Sequence, residues 1–141
     1  MSVEKRGPRV DHIIIATQNA KAAADHFQKS FGLSAYQGGR HQGWGTENYL
    51  IPGDGWYIEL IAVFDEDVAA KNSWGRLIKE RAASSKPWGL LTWCVELPEG
   101  AQAIAERLGT DKALCHSSSL GMIQVPDQTR LLLNMQCSPK R

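Results

Sequence analysis

His12 and Glu59 are the two side chains whose types and settings best suit chemistry. His12 interrupts the apolar run Val10–Thr17 (VDHIIIAT), and Glu59 sits between Ile58 and Leu60 in Trp56–Val63 (WYIELIAV). An imidazole changes charge close to neutral pH, and a carboxylate enclosed in an apolar strand must find a partner or take up a proton. Brought to one cleft, the two can act as an acid/base pair, or as nitrogen and oxygen ligands of a divalent ion. Between them in sequence lies Gly38–Asn48 (GGRHQGWGTEN), which carries Arg40, His41, Trp44, Thr46 and Asn48 among four glycines. It matches neither a Walker nor a dinucleotide-binding fingerprint, and no helix start follows it. As a loop at a cleft mouth, its amides and Arg40, His41, Thr46 and Asn48 would hold a polar or anionic small molecule, with Trp44 over the apolar part. The plain alternative is a connector between strands.

The elements that must position these groups follow from periodicity. Val10–Thr17 reads as a buried strand. Asn19 is placed to cap a helix running to Phe31, with Ala20, Ala23, Ala24, Phe27 and Phe31 at helical spacing and Gly32 as the stop. Strands are expected over Leu33–Gly38, Glu47–Ile51 and Trp56–Val63, the last two joined by a Pro52-Gly53-Asp54-Gly55 turn. Alternation puts Tyr57, Glu59 and Ile61 on one face of the third. A helix over Asp67–Ala83 ends at Ser84-Ser85-Lys86-Pro87. The element order then repeats: a strand over Gly89–Leu97, a helix over Glu99–Leu108 stopped by Gly109, and strands over Ala113–Ser118, Met122–Val125 and Arg130–Gln136. The expected class is α+β, two βαβββ modules whose curved mixed sheets surround a cleft.

With 141 residues, 43% hydrophobic and 22% charged, the chain suits one domain with its own core. A net charge of +1 gives no strong pull toward nucleic acid or anionic membrane. No apolar run reaches the roughly 18 residues of a membrane span, and the polar N-terminus lacks a signal-type stretch, so the expectation is cytoplasmic. Cys94, Cys115 and Cys137 are widely spaced and read as free thiols. His116, beside a run of serines, lacks the elbow of a nucleophilic serine site, and His26 reads as a solvated helix residue. The five tryptophans can serve a core or line a pocket.

Three segments carry a family resemblance. Val10-Asp11-His12-Ile13-Ile14-Ile15-Ala16, the Gly38–Asn48 segment and Tyr57-Ile58-Glu59-Leu60-Ile61-Ala62-Val63 resemble the glyoxalase-like proteins of the vicinal oxygen chelate superfamily, which also includes bleomycin-resistance proteins and dioxygenases. The resemblance implies a small-molecule protein whose paired modules cup a divalent metal, with His12 and Glu59 in the ligand and catalytic positions. It implies substrate-binding roles for Arg40, His41, Trp44, Thr46 and Asn48. It also implies a lyase, isomerase or dioxygenase-type reaction at paired oxygens.

The domain plan that follows is a tail over 1–9, one domain over 10–137, and a tail over 138–141. Within the domain, the first module is 10–65, the connecting helix 66–83 and the second module 88–137. The second half departs from the pattern. Trp93 stands where a second histidine would fall, and leucines or Asn134 stand where a second glutamate would. Neither Trp nor Leu can ligate a metal this way. The expected ion (Zn, Ni, Fe or Mn) is therefore absent or weakly held unless His41, His116 or water completes its shell. Trp93 becomes an apolar wall for the ligand. The alternative function is a non-catalytic binder that sequesters a drug-like molecule, and homodimerisation would let modules pair between chains.

Overall fold

A computed structural model describes residue 7, residues 9–84 and 87–96, and the backbone of 120–125 and 128–133. The described elements are β1 (Arg9–Thr17), α1 (Ala20–Phe31), β2 (Tyr36–His41), β3 (Thr46–Pro52), β4 (Tyr57–Val63), α2 (Glu66–Ala69), α3 (Ser73–Ser84), β5 (Trp88–Glu96), β6 (Leu120–Val125) and β7 (Gln128–Leu133). The class is α+β. Neighbouring strands run β2-β3-β4-β1-β5, a five-strand mixed sheet in which β1 and β4 are parallel while β2-β3 and β3-β4 are antiparallel. The β-α-β-β-β order of the first half is as the sequence implies. The described residues fall into two compact units, one spanning His12–Leu91 and the other taking those up to Asp11 and from Thr92 onward. In the second unit, β7 pairs antiparallel with both β5 and β6, and Arg9 is hydrogen-bonded to Glu96. The expected helix over 99–108 and strand over 113–118 lie outside the described residues.

In the His12–Leu91 unit, α1 forms where its signals stand. The Asn19 side chain accepts from Ala22 N at 2.8 Å, and Gly32, left-handed at φ 69°, returns its amide to Gln28 and Phe27 carbonyls. On the outer face Lys21 pairs with Asp25 one turn on. That carboxylate, by hydrogen bond and then by charge, raises the lysine above its ordinary pKa. The inner face buries Ala23, Ala24 and Phe27 against Ile51 and Leu60, flanked by Ile15, Tyr49 and Ile58. Small alanines let the helix backbone approach the sheet closely. Phe31 stays exposed and meets Phe27 only edge-on.

The single helix expected over Asp67–Ala83 is two. Asp65 caps α2 through Val68 N, and Asn72 starts a new cap by accepting from Gly75 N at 2.7 Å. The elbow also braces the β2–β3 loop. Asn72 Nδ2 donates to the Trp44 carbonyl, and the Gly45 carbonyl accepts from the amides of Phe64 and Asp65. Gly45 is left-handed (φ 70°), and a Cβ there would press on Asp65 O and on Ala69 N. Gly45→Ala is therefore expected to cost about 1–3 kcal/mol of stability, read from urea unfolding, with an unchanged urea slope.

Candidate functional site

Registers decide which groups share a face. On β1 and β4 the directly opposed pairs are His12 with Tyr57, Ile14 with Glu59 and Ala16 with Ile61. On β3, Asn48 opposes Ile61, Leu50 opposes Glu59, and Thr46 opposes Val63 and, on β2, His41. Opposed residues point to the same side of a sheet, so His12, His41, Thr46, Asn48, Tyr57 and Glu59 line one face. Ile13, Ile15, Ile58, Leu60, Tyr49 and Ile51 fill the other, toward α1. One strand thus presents its polar chemistry and its core packing by simple alternation.

On that face Glu59 is held at both oxygens. Asn48 Nδ2 donates to Oε1 at 2.7 Å, and His12 Nε2 lies 3.5 Å from Oε2. His12, Asn48 and Glu59 are all buried, at 4%, 8% and 8% exposure, which strengthens the pairing relative to a solvated one. The Tyr57 ring stacks on the His12 imidazole, centroids 4.5 Å apart and planes within 10°, and limits its tilt. Thr46, fully buried, holds His41 through Oγ1···Nδ1 at 3.0 Å, leaving Nε2 as the nitrogen that can meet a ligand. Trp44, 38% exposed, sits at the β2–β3 turn with its ring 5.5 Å from that of His41.

Arg40, given a substrate contact by the resemblance, stands apart from this group. It is on the opposite side of β2 from His41, ion-paired with Glu47 at 3.0 Å and laid over the Phe64 ring. Trp93 belongs to the other unit, half-buried on β5 opposite Leu133. Sequence reasoning missed the Tyr57 stack, although alternation had placed Tyr57 beside Glu59. It also missed Asp11 and Cys94, both buried, which bring a carboxylate oxygen and a sulfur within 4.8 Å. A carboxylate oxygen and a thiol sulfur are ligand types that could hold a metal.

Residues 10–132 match the glyoxalase-like domain. The chain belongs to that family. None of the curated proteins matches it. Among solved structures, a hypothetical protein from Staphylococcus aureus is similar with TM-score 0.61 at 18% identity, over 96% of this chain and 55% of its own. This glyoxalase-like chain thus spans about half the length of that protein. Methylmalonyl-CoA epimerase from Mycobacterium tuberculosis is similar with TM-score 0.54 at 15% identity, over 87% of this chain and 77% of its own. These likenesses concern the fold of the glyoxalase-like chain.

Proposed function

We propose that this glyoxalase-like chain is a small-molecule enzyme of isomerase or lyase type. It moves a proton at a carbon next to an oxygen-bearing centre, with His12 and Glu59 as the working pair. The observation that carries this reading is the buried contact of His12 Nε2 with Glu59 Oε2 at 3.5 Å, on a face that also holds His41, Thr46 and Asn48. Side by side on one face, one of the pair can act as the base at a substrate carbon while the other hydrogen-bonds to it and takes up its proton. Epimerisation, the activity named for the similarly folded Mycobacterium tuberculosis protein, is one reaction of this kind.

The pair also fits a divalent ion. Adjacent corners of a tetrahedral site lie about 3.4 Å apart for metal–ligand bonds of about 2.1 Å, close to the separation here. His12 and Glu59 would hold the ion, which supplies a Lewis acid for an oxyanion when bound. The chain's own groups do the rest. Asn48 holds Glu59 Oε1, His41 presents Nε2, and Trp44 shields the apolar part of the substrate. Arg40 can reach an anionic group only by leaving Glu47.

A second reading, a non-catalytic binder, is favoured by one observation: Glu59 already has both oxygens occupied, by Asn48 and His12. Deuterium exchange separates the two. Chain purified without chelator, its metal content measured, is incubated in D2O with acyl-thioesters and 2-oxo acids. Deuterium is expected beside the carbonyl, with the rate falling about 10²–10⁴-fold in His12→Ala and in Glu59→Gln. Ligand-induced tryptophan fluorescence with no exchange from any compound would instead establish the binder.

A further inference from the structure

The Gly38–Gly39 step is where the sheet departs from regularity. Gln37 pairs with Tyr49 and Arg40 with Glu47, so two residues of β2 stand opposite the single residue Asn48 of β3. This is a β-bulge, which takes an amide out of the ladder. The Asn48 side chain receives it: Gly39 N donates to Asn48 Oδ1 at 2.8 Å. A backbone amide can only donate and a carboxylate can only accept, so the two partners fix which way the Asn48 amide is turned. Its Oδ1 faces the bulge and its Nδ2 faces Glu59 Oε1.

We infer that Asn48 is a positioning residue, and that the Gly38–Gly39 bulge exists to hold it: together they clamp one oxygen of Glu59, so that the carboxylate offers a single oxygen beside His12. Gly38 is part of the device. A Cβ on Gly38 would overlap Asn48 Oδ1 and crowd its amide carbon at 3.0 Å, whereas one on Gly39 meets nothing within 4 Å. Neither glycine has a left-handed backbone, so alanine at either position leaves the backbone conformation accessible. The sequence reading gave Asn48 a substrate contact. The geometry points to a role exercised through Glu59. The inference rests on the reading of His12 and Glu59 as the working pair.

The matched alanines make the test. Ni²⁺ binding to the full chain is measured by calorimetry, and the Asn48 side-chain amide is followed by NMR. Gly38→Ala is expected to shift that resonance and weaken Ni²⁺ binding about 10–100-fold, the usual cost of losing a group that orients a ligand. Gly39→Ala is expected to do neither. Asn48→Asp, which keeps the shape and the Gly39 bond but replaces the donor to Glu59, is expected to weaken binding as Gly38→Ala does, and it serves if Gly38→Ala does not fold. Equal behaviour of Gly38→Ala and Gly39→Ala, or wild-type affinity in Asn48→Asp, overturns the inference. If the wild type takes up no Ni²⁺, the metal part of the functional reading fails by itself. The amide resonance then decides: a shift in Gly38→Ala alone supports the clamp, and no shift rejects it.

Discussion

Asn48→Leu is expected to lower the unfolding free energy by about 3–5 kcal/mol, because it strands the Glu59 carboxylate away from water without its amide donor. Both residues are 8% exposed, so solvent cannot take over the lost hydrogen bond. Glu59→Leu alone removes the charge but leaves Asn48 Nδ2 without that acceptor, a smaller loss of about 1–3 kcal/mol. The informative protein is the double variant. With leucine at both positions the buried charge and its amide donor go together, while the Gly39 amide, which gives to Asn48 Oδ1, and His12 Nε2, which faces Glu59 Oε2, each lose that contact. Its stability should return to within about 1–3 kcal/mol of wild type, well short of the two single costs added. Urea unfolding of the four proteins at neutral pH measures the coupling. Strict additivity would mean that the 2.7 Å contact contributes nothing. A double variant nearly as stable as wild type would mean that this polar network is not kept for stability. It would leave the chemistry of Glu59 as the reason for its presence.

The sequence made the outline of this site legible, and physical reasons explain what it hid. Strand alternation places Tyr57, Glu59 and Ile61 together without any structure, and the β1 partners of these residues bring His12 to the same side. The helix over Ala20–Phe31 is bounded by the cap and the stop that its residues announce. The first misplacement is β2, which begins at Tyr36 rather than Leu33. The turn after Gly32 is still occupied in closing the helix, with Leu33 N bonded to the Phe27 carbonyl and Ser34 to the Gln28 side chain. The second is Arg40, whose charge suggested an anionic ligand. Which side of a strand a residue takes depends on register, and a bulge of one residue reverses it. Nothing in the spelling Gly38-Gly39 tells a bulge from a flexible connector. The break between α2 and α3 was hidden for a similar reason. Asn72 caps through its own side chain inside a stretch whose apolar spacing continues across it.

Leu60→Ala, the remaining large effect, is expected to cost about 2–5 kcal/mol, and the upper half of that range follows from its neighbours. Leu60 is completely buried on β4, between Ile15 of β1 and Tyr49 of β3, and faces Ala23, Ala24 and Phe27 of α1. Alanines have no rotamers with which to refill the space, and both flanking strands are fixed by their ladders, so the cavity stays open. Leu60→Met, which conserves volume, should cost less than about 1.5 kcal/mol. The consequence reaches the other side of the sheet, because Glu59 is the adjacent residue of the same strand. If the core on one face sets the height of β4, Leu60→Ala should loosen the Asn48–Glu59 contact, and Leu60→Met should not. Weaker protection of the Asn48 side-chain amide in the alanine variant alone would show that the apolar face steadies the polar one. Equal protection in both would show that the ladders of β1 and β3 hold Glu59 in place without help from the core.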